Sequence, residues 1–460
     1  MKQALLLGGG VAAFAAALDL AEVGVEVWIA DTAIRVPERD VRDPGGEVAA
    51  LLGEIAAPLT PEAHGTPGAA PSTVTPAQVS LIARDGAWRP LPESSVWGIP
   101  AVPLSRAALA LFGAPGAFRA YLDRLKPVLT IGKEPNLGKL VDSRVGRAVR
   151  ETAVDPLVHE RFGVRAHDAE VALVEQGLNE ALTRAGSLSG GAMQQQEAHV
   201  ARETVVAPAA GWHEFGELLV AHLELYGAKR FTSSVVSCER ASSQGAGWTV
   251  TDAEGRRLAF DAVIGDLEDI ARVAVNASGV ADAGPTEGVA GLVAALASLL
   301  PATTRQYADI GIQGESARSA DGHAPADDRL LLLETAEAGT WTARVLGGGV
   351  NGSAIWLSGP AGPGDLQLPA RLPADLLTGA IEAAGLGDVA SEPVVRVRAA
   401  AFATLAERDA AELARAECAA AYPDLIVAGE QLHGGELGEA LAEARQRAVV
   451  LRRKLTGISE

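Results

Sequence analysis

Gln3-Ala-Leu-Leu-Leu-Gly-Gly-Gly-Val-Ala-Ala-Phe-Ala-Ala-Ala-Leu-Asp-Leu20 is the stretch whose reading decides the fold. Leu5 to Leu7 form a short apolar run of the kind a fully buried strand presents, and Gly8-Gly9-Gly10 breaks it. The alanine-rich segment that follows reads as a helix to about Glu22, and Gly24 stops it. Val25-Glu-Val-Trp-Ile-Ala-Asp31 then reads as a second strand closing on an acid. Strand, glycine turn, helix, strand and acid are the parts of a dinucleotide-binding unit. Gly8 allows the tight turn, Gly10 lets the backbone approach a pyrophosphate, and Ala13 takes the third glycine's place with a side chain small enough for close packing. The helix start offers N–H groups to phosphate oxygens, and Asp31 would accept from a ribose hydroxyl. A βαβ unit that binds nothing has the same outline, so the rest of the chain must decide. Asp19 and Glu22 argue against a secretory leader here.

A chain of 460 residues is expected to hold two domains or more, and 48% hydrophobic with 21% charged residues is an ordinary globular balance. A net charge of −19 argues against nucleic acid and against an anionic membrane surface as partners. The longest apolar stretch, Val289 to Leu300, is too short to span a bilayer and reads as a buried helix. Two cysteines, Cys238 and Cys418, suggest core residues in a reducing cytoplasm. The eight histidines lack metal-ligand spacing, so no metal site is expected. With no nucleophile elbow, second phosphate loop or His-Glu-x-x-His, the chemistry is expected to come from a bound cofactor.

Past Asp31 the chain turns polar as far as Gly45-Gly46, and Glu47 to Ala57 reads as a short helix. Val79 to Pro92 alternates around Asp85-Gly86 as a hairpin does. From Leu104 to about Ala185 helical spacing takes over, with helices read over Val141–Val158 and Val171–Leu182. Around Thr204 the α/β character returns: a helix to Leu225, a strand from Lys229 to Cys238, a hairpin around Glu254-Gly255, and the buried strand Asp261-Ala-Val-Ile-Gly. Strand and helix patterns alternate from Gly291 to about Arg398, then Tyr422-Pro-Asp-Leu-Ile-Val-Ala-Gly-Glu leads to a last helix.

Five stretches in this order resemble the flavin-dependent protoporphyrinogen and coproporphyrinogen oxidases of the amine-oxidase superfamily. They are Gly8 to Asp31, Leu91-Pro-Glu-Ser-Ser-Val-Trp-Gly-Ile-Pro100, Leu178 to Ser189, Pro208-Ala-Ala-Gly-Trp-His-Glu-Phe with Val235 to Arg240 and Gly247-Trp-Thr-Val, and Leu425-Ile-Val-Ala-Gly-Glu430. The resemblance implies an α/β fold: a Rossmann-like FAD-binding domain assembled from three chain segments, with an inserted helical lobe and a mixed-sheet substrate domain. It divides the chain into 1–95, 204–280 and 399–460 for the FAD-binding parts, 96–203 for the helical substrate or membrane-type lobe, and 281–398 for the substrate sheet. It implies FAD as cofactor, with Gly8, Gly10 and Ala13 on the pyrophosphate and Asp31 on the adenosine ribose. The Val235 backbone would meet the adenine, Gly429-Glu430 the ribityl–pyrophosphate region, and Leu437 the pyrimidine end of the flavin. The implied activity is oxygen-dependent oxidation of a porphyrinogen, protoporphyrinogen IX or coproporphyrinogen III, in haem biosynthesis, with a small-molecule tetrapyrrole as substrate.

Three departures fall around the cofactor. Asp43 stands where the family has the arginine of Arg-x-Gly-Gly, Glu436 stands where it prefers glycine, and Ala401 to Asp409 replaces an aromatic segment. A carboxylate beside a reduced flavin is costly unless it points away. The other reading is therefore a non-catalytic homologue with weak or absent flavin, acting as a tetrapyrrole- or protein-binding scaffold. No side chain identifies itself as a catalytic base. Arg144, Arg147 and Arg150 could face substrate propionates, or simply form a solvated helix face.

Overall fold

The computed structural model describes every residue except 1, 32, 59–64, 76, 128–132, 241–246, 280–286, 312–327, 336–338, 347–353, 364–371, 373, 385–392 and 458–460. The chain folds as two compact units, one of Met1–Thr75, Arg202–Pro301 and Asp409–Glu460, the other of Pro76–Ala201 and Ala302–Arg408.

The first unit is built on a five-stranded parallel sheet ordered Lys229–Arg230, Glu26–Ile29, Gln3–Leu6, Ala262–Gly265, Leu425–Val427. Leu5 lies opposite Trp28 on one side and Val263 on the other, and Val263 lies opposite Leu425. Because side chains alternate along a strand, Ala4 and Leu6 face one layer while Leu5 and Leu7 face the other. The first layer holds the helices Val11–Ala21, Trp212–Leu225 and Leu437–Thr456. All eleven residues of Val11–Ala21 are buried, so small alanines are what lets helices and sheet close on it from every side. The layer opposite holds the antiparallel strands Val235–Arg240, Trp248–Asp252 and Arg257–Phe260 with the helix Leu267–Gly279.

One charge sits within that first helix. Asp19 accepts two hydrogen bonds from Arg445, Nη2 to Oδ1 at 2.7 Å and Nε to Oδ2 at 3.1 Å, and Arg445 Nη1 reaches Glu54 at 2.8 Å. The fork ties the last helix of the unit to its first.

The second unit holds a seven-stranded mixed sheet ordered Val394–Ala399, Thr304–Gly311, Ala354–Ser358, Gly339–Val345, Asp328–Thr335, Val79–Ile82, Trp88–Pro90. Val79–Ile82 runs parallel to Asp328–Thr335 and antiparallel to Trp88–Pro90, which is why this unit begins at Pro76. The expected Val141–Val158 helix is broken. Leu137–Arg144 ends at Gly146, whose φ is 98°, because Arg119 donates to the carbonyls of Arg144 (2.8 Å) and Ser143 (3.0 Å). The chain restarts at Arg147 and passes through a π-type turn, Arg150–Val154, into the helix Asp155–Phe162. The three arginines of this stretch therefore do not share one solvated face. Arg144 is buried against Asp123 at 3.1 Å, and Arg150 binds Asp142 at 2.8 Å and Asp155 at 2.5 Å. Val171–Leu182 likewise splits at Gly177, with φ 86°.

Arg305, fully buried, closes the end of Asp155–Phe162 by donating to the carbonyls of His159, Glu160 and Arg161, and to that of Gly359. Burial, then Arg305 nearby, holds His159 neutral with its pKa lowered to about 3. Among the described residues no helix is long and apolar enough to cross a membrane.

Candidate functional site

In a parallel sheet all strand C-termini meet one edge, and ligands of such sheets bind outside it. Here Gly8 follows the central strand and Asp31 follows the strand on one side. Asp266 follows the strand on the other side, and Gly429-Glu430 follows the next strand out. Gly8 and Gly9 have φ of 132° and 135°, a region other residues rarely enter. A Cβ at Gly8 would lie 3.2 Å from Asp269 Oδ2, and one at Gly9 2.9 Å from both Asp266 Oδ1 and Ala13 Cβ. Gly10 caps the first helix, and its carbonyl accepts from the N–H groups of Ala13 (3.1 Å) and Phe14 (3.3 Å). The N–H groups of Val11 and Ala12 have no partner within the helix by geometry. Ala13 is fully buried beneath the turn. Asp31 is exposed, and its Oδ1 accepts from Ala33 N–H at 2.9 Å.

The residues crowding this turn were not singled out by the sequence. Asp266 Oδ2 accepts from Gly10 N–H at 3.0 Å and from Arg35 Nη2 at 3.0 Å. The same Arg35 nitrogen donates to Asp269 Oδ2 at 2.5 Å, and Arg35 N–H donates to the Gly9 carbonyl at 2.9 Å. Asp269 also accepts from Arg272 at 2.9 Å. Asp266 is 5% exposed, and its Oδ1 is buried without a hydrogen-bond partner. Burial, partly offset by Arg35 and the Gly10 N–H, pushes its pKa up to about 6. One signal did exist: Asp266 is the first residue past the strand Ala262–Gly265, which borders the strand leading into the glycine turn.

The other expected residues lie on separate elements of the same unit. Val235 opens the first antiparallel strand at a register shift opposite Asp252. Gly429 has φ 154°, and Glu430 starts a short turn whose carbonyl accepts from Gly435 N–H at 2.8 Å. Leu437 begins the last helix with its side chain in the core. The Glu436 carboxylate is turned to Arg42, which donates to it at 2.5 Å and to Glu203 at 2.6 Å. Asp43 accepts from the N–H groups of Val48 (3.1 Å) and Ala49 (2.8 Å), so it caps the helix Glu47–Ala56.

The glycine turn, the helix start and Asp31 suit an adenosine diphosphate moiety. The Asp266 carboxylate does not: it places an anion at the N–H of Gly10, the residue capping the helix, beside the position a phosphate would take. The cradle as built holds an internal acid of the protein's own.

No family model matches the sequence, and no curated protein matches it. Solved structures do match. One is a protein proposed to be a protoporphyrinogen oxidase from Exiguobacterium sp. 255-15, with TM-score 0.66 and 14% identity over 98% of this chain and 99% of that one. Another is reduced UDP-galactopyranose mutase, with TM-score 0.58 and 12% identity over 100% of this chain and 94% of that one. At such identities the likeness concerns the fold, which is the α/β architecture described above.

Proposed function

We propose that the chain is an FAD-dependent oxidoreductase, with the first unit as its dinucleotide-binding part and a porphyrinogen as the compound oxidised, dioxygen being the final acceptor. The observation that carries the cofactor class is the glycine turn between Gly8 and Ala13 set centrally in a parallel sheet, with Asp31 and Gly429-Glu430 on the same edge. The porphyrinogen rests on the family-like segments Leu91–Pro100 and Leu178–Ser189, and on the fold shared with the Exiguobacterium protein. Bound FAD would supply the redox chemistry. Turning the Glu436 carboxylate to Arg42 removes the charge conflict that the sequence raised at that end.

Purified protein tests the reading directly. It should show the visible absorption of a flavin, or gain it on incubation with FAD, and should convert a porphyrinogen to its fluorescent porphyrin. Colourless protein that takes up no added FAD sinks the reading. Yellow protein that turns over no porphyrinogen moves the substrate to an amine or a carotenoid. Gly10→Trp fills the turn next to the Arg35 carbonyl, 3.4 Å from its Cβ position, and should abolish flavin retention with the circular dichroism unchanged.

A further inference from the structure

The orphaned oxygen of Asp266 points into the glycine turn. Oδ2 is already claimed by Gly10 N–H and Arg35, while Oδ1 has no partner and lies 2.9 Å from the Cβ position of Gly9. Arg35 is also tied to Gly9 through its own backbone N–H. Its Nη2 is shared by two acids, Asp266 and Asp269. A phosphate arriving at the N–H groups of Val11 and Ala12 would meet an ionised carboxylate whose one arginine is shared with Asp269.

We propose that Asp266 stands in for a dinucleotide phosphate, and that a dinucleotide binds only as Asp266 takes up one proton. Protonation turns the orphaned oxygen from an anionic acceptor into a donor toward the phosphate. The proton comes from solvent, and no bond of the ligand breaks. The inference rests on the reading that the Gly8–Ala13 turn cradles an adenosine diphosphate moiety. Several charged groups surround Asp266. Arg35 comes from the arm after the second strand, Asp269 and Arg272 from its own helix, and Asp31 from the strand end beside Gly8. Across the neighbouring strand, whose Ala428 N–H donates to the Gly265 carbonyl, the next titratable group is Glu430. The burial that lifts the Asp266 carboxyl to about 6 puts its titration where binding is readily measured.

The test is calorimetric titration of the full chain with ADP-ribose and with FAD from pH 5 to pH 8. The pyrophosphate of ADP-ribose is a diester that keeps its charge over this range, so a slope belongs to the protein. Wild-type affinity for ADP-ribose should be flat below about pH 6 and fall roughly tenfold per unit above it. Asp266→Asn should bind with flat pH dependence and about a hundredfold more tightly than wild type at pH 8. A wild-type affinity that does not change with pH overturns the proposal without any variant, and so does an Asn variant that is folded but no tighter. If both proteins follow the expected pattern for ADP-ribose yet take up no FAD, the stand-in holds and the flavin reading fails. If wild type holds FAD at pH 8 as tightly as the variant, the stand-in fails and the flavin reading survives. Binding of neither probe by either protein overturns both.

Discussion

Asp19 and Asp266 are both buried in the first unit and both meet an arginine, but the two regions use that pairing differently. Asp19 sits in the middle of a helix layer, where Arg445 takes both its oxygens in a fork. Asp266 sits at the open edge of the sheet, where a single arginine nitrogen is divided between it and Asp269 and one oxygen is left over. Burial comes first in raising both carboxyls, and at Asp266 it carries the pKa to about 6. A completed fork fastens two helices. An incomplete one leaves a group that can change protonation state or give way to a ligand.

The contrast can be broken at several points. Arg445→Met should have the largest effect, about 3–5 kcal/mol of unfolding free energy from the denaturant midpoint, because it strands Asp19 in the interior. The loss should shrink in acid, where Asp19 can take a proton; a negligible loss would mean the fork fastens nothing. Asp266→Asn comes next, and its sign differs. The folded carboxyl titrates near 6 against an ordinary 3.8, so folding favours its protonated form. That contribution is present in full below about pH 4 and is lost as pH rises through 6, a span of about 3 kcal/mol. The Asn variant should lack this part of the stability profile between pH 4 and pH 7, and superimposable profiles would mean that folding does not shift the Asp266 carboxyl. Glu436→Gln should have the smallest effect, within about 1 kcal/mol by thermal melting, since Arg42 keeps Glu203.

The parts of the site that could be read from the sequence are those set by local backbone demand. Gly8 and Gly429 occupy positive φ, and Asp31 closes a strand of evident pattern. Four of the five parallel strands announced themselves as apolar runs between turns, and Val11–Ala21 as a helix by its alanines. The expected strand from Lys229 to Cys238 instead divides into the exposed pair Lys229–Arg230 at the edge of the parallel sheet and Val235–Arg240 in the antiparallel one. What stayed hidden depends on partners far away in sequence. Arg35 and Asp266 are 231 residues apart, and nothing local to either residue marks the other as its partner. The break at Gly146 is similar: apolar spacing continues through it, and the stop is enforced by Arg119 from another helix. Asp43 and Glu436, which depart from the family's pattern, have partners that the sequence does not show, a helix start and Arg42.

The complete burial of Val11–Ala21 also governs how the chain must assemble. The fork to its covering helix, Leu437–Thr456, spans 426 residues, and the sheet beneath it needs strands from residues 262–265 and 425–427 as well. On the ribosome the first helix therefore emerges as a bare apolar rod and stays uncovered until those segments have followed it. Such long-range closure is slow and invites aggregation. A nascent chain of this protein should lean on chaperones until then, and truncation before residue 437 should cost the first unit rather than only its tail.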